Sequence, residues 1–341
     1  MQRNRPPYDG DVSVGSRPLV PSRLAPHGTA RPPLVHHDAA DVVGPPHGHA
    51  SASTVAAYIA LTKPRIIELL LITTVPTMIL AQAGWPSTAL VAVTVIGGTL
   101  AAGGANAINM VVDRDIDRLM QRTQGRPLVT GAMTPTSALV FALALEAAAF
   151  AVLWWGANLL SAVLALAATA FYVGVYTLWL KRTSRQNIVV GGAAGAVPVL
   201  VGWAAVRDSL GWEPIVLFAV MFLWTPPHFW ALAIKYRDDY RAAGVPMLPS
   251  VVPLRDAAQQ MMAYTIVLVA GTLVLAPVAS LSWIYTVVAA LLGAVFVALT
   301  VVLVRRPTPA MSMRVFTYSI TYVTLLFGAI VVDVFVRHGV S

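Results

Sequence analysis

The sequence contains no cysteine. Disulfide bridges, thiolate nucleophiles and Cys-ligated metal centres are therefore excluded. Charge is nearly as scarce: Asp, Glu, Lys and Arg make up 11% of the 341 residues, against roughly a quarter in soluble domains. No apolar core segment occurs in the first 50 residues, so no secretory signal peptide is expected, and Asp9, Asp11, Asp38 and Asp41 argue against a transit peptide.

What fills the chain instead is hydrocarbon. The composition is 57% hydrophobic and mean hydropathy is +0.71. Apolar runs of about 20 residues recur from Ile66 to the C-terminus, each long enough to cross a hydrocarbon core of ~30 Å at ~1.5 Å per residue. This pattern predicts an all-α membrane protein embedded in the lipid bilayer. Nine spans are expected, near 66–84, 88–111, 137–157, 159–179, 187–206, 214–234, 259–280, 282–304 and 314–336.

The net charge of +8 would point to nucleic acid in a soluble protein, but here its distribution sets orientation, and no nucleic-acid partner is expected. Links after the first, third and seventh spans are short and carry no Lys or Arg. Those after the second, fourth, sixth and eighth are longer and basic, and of 23 Lys and Arg residues only Arg207 and Arg337 fall on the other side. The excess of positive charge assigns the basic loops and the N-terminus to the cytoplasm and the C-terminus to the outside. The acidic residues share those loops, so chemistry is expected at the cytoplasmic face. Residues 1–55 hold nine prolines and five of the seven histidines with no large apolar run. This Pro/His/Arg-rich stretch is expected to be a disordered cytoplasmic tail, and residues 56–341 the membrane domain.

Three polar constellations interrupt the apolar pattern. The first is Asn109-Met-Val-Val-Asp113-Arg-Asp-Ile-Asp117, followed by Arg118, Arg122 and Arg126. Carried on a continuing helix, Asn109, Asp113 and Asp117 share one face. Two carboxylates and an amide oxygen so stacked suit Mg²⁺, a hard cation that keeps waters and is shared with substrate phosphates. The plainer reading is an interfacial loop of mutually paired Asp and Arg, but Asn109 lies inside an apolar span, where polar groups are costly. The second is Tyr176 to Asn187, in which Lys181 and Arg182 suit an anionic phosphate or serve simply as a positive anchor. The third is Thr225-Pro-Pro-His228-Phe-Trp230, leading to Lys235, Asp238 and Asp239. Its two prolines are expected to break the helix beside a cavity. His228, alone among the histidines in falling inside an expected span, suits a metal, a cofactor or a neighbouring helix. Glu146 and Asp333 are read as structural.

The repeat at 109–117 resembles the first aspartate motif of the UbiA superfamily of intramembrane prenyltransferases. Longer segments are similar to the haem-modifying branch of that family: Leu61-Thr-Lys-Pro-Arg65 with Thr73 and Thr74, Asp113 to Asp117 with Met120, Arg122 and Thr123, Asn187 to Gly192 with Gly202 and Trp203, Trp224 to Trp230, and Ala243 to Leu248. The likeness covers roughly residues 55–335. It implies a nine-helix bundle around a central cavity in a bacterial plasma membrane, Mg²⁺ as cofactor, farnesyl diphosphate as donor and haem b as acceptor. A haem A synthase, consuming the product, is an implied partner. By that resemblance Asn109, Asp113, Asp117 and Asp239 are the metal-site candidates. Asp113, Asp117, Lys181, Arg182 and Asp239 are the catalytic ones. Arg122, Arg126, Tyr176, Asn187, His228, Lys235 and Asp238 join Asn109 as substrate-binding candidates. The family's second motif, usually Asp-x-x-x-Asp, reads Lys235-x-x-x-Asp239 here, so the role of Lys235 stays open between diphosphate contact and a lost metal ligand. Two alternatives stand beside this reading. One is a sibling enzyme with an aromatic, quinone-precursor acceptor; the other is a transporter, against which the one-sided charge and the lack of a clear internal repeat both speak.

Overall fold

The computed structural model describes residues 54–339, and for 65–71 the backbone alone. The tail expected over residues 1–55 lies outside the described residues except for Thr54 and Val55, which open the first helix. Among the described residues every regular element is helical. In chain order they are α1 (Thr54–Thr62), α2 (Pro64–Gln82), α3 (Thr88–Val112), α4 (Arg114–Leu119), α5 (Pro127–Thr130), α6 (Pro135–Gly156), α7 (Leu159–Phe171), α8 (Lys181–Thr183), α9 (Asn187–Arg207), α10 (Trp212–Lys235), α11 (Arg237–Ala242), α12 (Leu248–Val251), α13 (Leu254–Val278), α14 (Trp283–Arg305) and α15 (Pro309–His338). A 3₁₀ turn follows α4, and a π-helical stretch, Tyr172–Leu180, joins α7 to α8.

Eight helices among the described residues are long and apolar enough to cross a bilayer: α3, α6, the continuous α7–α8 rod, α9, α10, α13, α14 and α15. In α2, the described apolar part is Ile72–Gln82. Each of the nine expected spans overlaps one of these elements. Lipid makes helices obligatory here, because backbone groups find no water to bond.

Without a hydrophobic drive between helices in lipid, small residues set the packing. The helices α3 and α6 pack most intimately. At Gly104 of α3 an added Cβ would stand 2.6 Å from the Glu146 carboxyl and 3.0 Å from the Ala142 carbonyl oxygen of α6, so only glycine permits this approach. Polar groups pin the far ends of the helices. Asn158 caps α7 and donates to the Ala204 carbonyl at 2.6 Å. The buried Asp333 carboxylate of α15 accepts the Ser282 and Tyr285 amides at 2.9 and 3.2 Å, closing the N-terminus of α14. Asp333 is thus structural, as expected from the sequence.

The prolines of α10 change the ladder less than expected. Pro226 and Pro227 lie inside an unbroken helix from Trp212 to Lys235. The helix does border the cavity described below, at Trp224, Thr225, Phe229 and Leu232, but as a continuous wall. Exposed tryptophans Trp85, Trp154, Trp155, Trp212 and Trp283 stand at the helix ends opposite the basic loops, where an aromatic belt meets the membrane–water interface.

Candidate active site

Local sequence builds the site. The helix α3 ends at Val112 and α4 begins at Arg114, with Asp113 as the joint. Hydrogen bonds from the Asp113 amide to the Asn109 carbonyl (2.9 Å) and from the Asp117 amide to the Asp113 carbonyl (2.8 Å) carry the four-residue spacing through that joint. Asn109, Asp113 and Asp117 are all buried. Asn109 Nδ2 donates to Asp113 Oδ2 at 2.7 Å, and Lys181 Nζ donates to the same oxygen. Arg126 Nη1 donates to Asp117 Oδ2 at 2.5 Å. The like charges of the motif are therefore each answered by a cation.

The π-helical stretch supplies the facing side. Thr177 Oγ1 donates to the Tyr172 carbonyl five residues back, at 2.9 Å, and accepts Asn109 Nδ2 at 3.2 Å. The wide turn aims Tyr172 and Tyr176 together into the cavity, their rings stacked at 5.4 Å. Such π segments cluster at functional sites. Gly191 of α9 makes room for Tyr176, since a Cβ there would lie 2.2 Å from the ring.

A cavity of about 420 Å³ opens between these helices, within the size range of small-molecule pockets. Its polar end is lined by Lys63, Asn109, Asp117, Arg122, Arg126 and Lys181. Its body runs between small side chains, among them Gly98, Ala101 and Ala105 of α3, Ala165 of α7 and Gly195 of α9. A cationic mouth over a slim apolar tube suits a molecule with an anionic head and a hydrocarbon tail.

The sequence-predicted residues divide. Asn109, Asp117, Arg122, Arg126, Tyr176 and Lys181 line the cavity, with Asp113 directly behind Asn109 and Lys181. Arg182 is outside the cavity lining: it grips Asp115 with bonds of 2.7 and 2.8 Å and the Val112 carbonyl at 3.1 Å, and its Nη2 stands 3.8 Å from Asp113 Oδ1. That grip holds the Asp115 carboxyl well below the usual carboxylate range. Asn187 is fully buried at the start of α9 but outside the cavity lining, and neither of its amide atoms has a hydrogen-bond partner among the described residues.

The segment after α10 departs furthest from expectation. Asp238 is 97% exposed and loosely paired with Arg241 at 3.7 Å. Asp239 and Lys235 are likewise absent from the cavity lining. Among the described residues no three His, Asp or Glu side chains converge on a metal-ligand position. What this segment sends inward is Tyr240, which lines the cavity and accepts Arg122 Nη2 at 3.1 Å. His228 also faces away from the cavity: its Nδ1 bonds Ser319 Oγ of α15 at 2.7 Å, and its ring stacks between Trp224 at 4.2 Å and Phe316 at 4.6 Å. Of the three roles open to it, the structure displays the neighbouring-helix contact.

In the sequence Lys63 figures only within the Leu61–Arg65 segment, with no role of its own in the site. It sits between α1 and α2 in a left-handed backbone conformation, φ 51° and ψ 66°, and its Nζ donates to Asn109 Oδ1 at 3.0 Å. Such a conformation costs a non-glycine residue on the order of 1–2 kcal/mol, and strain of this kind collects at functional positions. Burial, reinforced by the Arg126 and Lys181 charges, pushes the Lys63 amine down to about 7. The available signal was Pro64, which opens α2 and fixes where Lys63 leaves the helix.

Bundle, cationic mouth and apolar tube together define an intramembrane enzyme for isoprenoid-type substrates, and the chain belongs to the UbiA prenyltransferase family, matching it over residues 70–327. It is 55% identical to protoheme IX farnesyltransferase 1 of Saccharopolyspora erythraea over 281 residues, 82% of this chain and 89% of that one. It is 51% identical to the protoheme IX farnesyltransferase of Pseudarthrobacter chlorophenolicus over 298 residues, 86% of this chain and 93% of the other. In fold it resembles a digeranylgeranylglyceryl phosphate synthase, with a TM-score of 0.69 at 15% identity, covering 82% of this chain and 98% of that one. It also resembles a UbiA homologue of Archaeoglobus fulgidus solved with DMAPP and Mg²⁺, with a TM-score of 0.57 at 16% identity, covering 81% of this chain and 99% of that one.

Proposed function

We propose that this chain transfers the farnesyl group of farnesyl diphosphate to a vinyl group of haem b, which also takes up water, giving haem O and diphosphate. The observation that carries this reading is the cavity itself, with four cationic side chains around Asn109 and Asp117 at one end and an apolar tube of small residues behind them. The haem acceptor is supported by relatives more than half identical to this chain that bear the name protoheme IX farnesyltransferase. The quinone-precursor alternative has no comparable support.

Mg²⁺ fits the residues present. Asp113 Oδ1 is buried with no hydrogen-bond partner and only an ion-pair contact to Arg182 Nη2 at 3.8 Å, an acceptor with room for the kind of contact a hard cation makes. Asn109, Asp113 and Asp117 would hold the ion, which shares its remaining positions with water and substrate phosphate, so a third carboxylate is not required. It would supply charge neutralisation for the departing diphosphate. The chain's own residues do the rest. Lys63, Arg122, Arg126 and Lys181 gather round the diphosphate and stabilise negative charge as the C–O bond breaks. The tube holds the farnesyl chain extended and excludes stray water from the allylic cation. Tyr172 and Tyr176 present their ring faces beside the mouth, where they shelter positive charge by cation–π attraction. Arg182 acts through Asp115 by fixing the α4 backbone, and Asp239 and Lys235 contribute only if α11 moves inward when substrate binds.

The same reading assigns nine spans, with α2 as the first, the N-terminus and site at the cytoplasmic face, and the C-terminus outside. The basic loops at the site end support it. A haem A synthase as consumer of the product belongs to this proposal too.

Purified protein incubated with haem b, farnesyl diphosphate and Mg²⁺ should give a farnesyl-modified haem by mass spectrometry. Turnover of a phenolic acid with none from haem would overturn the acceptor assignment.

A further inference from the structure

Glu146 has no part in the chemistry above, yet its position is not that of a packing residue. It lies in the middle of α6, buried, and among the described residues no Lys, Arg or His comes within ion-pair distance of it. An ionisable side chain at membrane depth is costly and marks function by default. Its Oε1 accepts Thr169 Oγ1 of α7 at 3.2 Å, and it also bonds the Ala105 backbone. Thr169 and Ala105 both line the cavity, and Glu146 stands behind them. Gly104 keeps this seat open, since any Cβ there would collide with the carboxyl. Along α3, five residues separate Gly104 from Asn109, roughly 7 Å of helical rise. The Thr169 hydroxyl therefore stands at the cavity wall just beyond its polar end, with the carboxyl behind it, next to where a donor held by its diphosphate at that end would place its first carbon.

We propose that Thr169, positioned and deprotonated through Glu146, directs the water that ends the reaction. This inference rests on the farnesyl-to-haem reading above. Once the allylic carbon has bonded to the terminal vinyl carbon, positive charge resides on the vinyl carbon next to the porphyrin. Water oxygen bonds to that carbon, and one of its protons passes to Thr169 Oγ1 as the threonine proton moves to the Glu146 carboxylate. The cation and the carboxylate are neutralised in the same event, and the product carries a hydroxyl group. Without this relay the cation instead loses a proton and becomes an alkene, one water lighter. Thr169 is the catalytic residue of the pair, and Glu146 the positioning residue and proton sink.

The test uses the full chain in detergent with haem b, farnesyl diphosphate and Mg²⁺, and reads the ratio of hydroxylated to dehydrated farnesyl-haem by mass spectrometry. Glu146→Gln and Thr169→Val should each lower that ratio by about a hundredfold, the lower end of proton-transfer catalysis. Thr169→Ser, which restores the hydroxyl, should return it towards wild type. An unchanged ratio in both Glu146→Gln and Thr169→Val overturns the proposal. So does an equal effect of Thr169→Val and Thr169→Ser, because the hydroxyl would then not matter. Should Glu146→Gln fail to fold, the valine–serine comparison decides alone. A wild-type chain that makes no farnesyl-haem overturns the reading beneath the proposal, and that failure is visible before any variant is compared.

Discussion

Replace Asp113 by Asn, and two separable quantities change. Asp113 is fully buried, and Lys181, with a side chain only 15% exposed, donates to it along with Asn109. Neutralising one member of a buried pair strands the other, at a cost of about 3–5 kcal/mol where both are fully enclosed. Lys181 keeps a face on the cavity, so the lower half of that range applies: about 3–4 kcal/mol. Turnover should fall further, by about 100-fold or more, because the variant loses both a metal ligand and the group that aims Lys181 at the diphosphate. Adding Lys181→Met to Asp113→Asn removes the stranded charge. Thermal melting in detergent should then recover most of the lost stability, while activity stays at or below that of the single variant. Site and scaffold are thereby distinguished. Wild-type turnover in Asp113→Asn would refute the site, and a double variant as unstable as the sum of the two singles would refute the pairing argument.

Other perturbations follow from single contacts. Gly191→Ala places a methyl group 2.2 Å from the Tyr176 ring; overpacking of this kind costs about 1–3 kcal/mol, and KM for farnesyl diphosphate should rise as Tyr176 is displaced, measured by steady-state kinetics. Arg122→Lys loses the bond to Tyr240 and the guanidinium placement over the Tyr236 and Tyr240 rings; it should weaken diphosphate binding several-fold in a competition assay with inorganic diphosphate, more than a change that keeps charge alone would suggest. Chelation with EDTA should abolish turnover and added Mg²⁺ restore it, whereas activity surviving exhaustive chelation would remove the metal from the scheme.

The fold was legible because lipid leaves few choices. A run of 20 apolar residues has one stable form in a bilayer, so each expected span overlaps an observed helix, and a skewed Lys and Arg distribution was enough to say at which end polar chemistry gathers. Helix ends were set by caps that sequence displays openly, such as Ser87, Thr134, Asn158 and Thr308 with their bonds to following amides. The Asn109–Asp117 repeat was legible for a related reason: its spacing survives the joint at Asp113 because two backbone bonds bridge it.

What sequence spacing could not give was direction across the bundle. Arg182 follows Lys181 immediately, and on any helix neighbours point roughly 100° apart. Lys181 lines the cavity and bonds Asp113, whereas Arg182 bonds Asp115 at the surface and reaches Asp113 only from behind, at 3.8 Å, so the two cations do not form a single clamp on the cavity. Similarly, Tyr240 follows Asp239, and the short helix α11 turns the phenol rather than the carboxylate inward. His228 shows the opposite case. Thr225 and Phe229 flank it on α10 and face the cavity, yet His228 itself is enclosed by Trp224, Phe316 and Ser319. A polar residue beside a substrate chamber can thus belong to the wall that keeps the chamber's shape. The Glu146–Thr169 pair lies 23 residues apart on neighbouring helices, in a seat that Gly104 of a third helix leaves open. Contacts of that kind depend on which faces of two helices meet, and a lone sequence marks them by nothing more than a glycine and a carboxylate on separate spans.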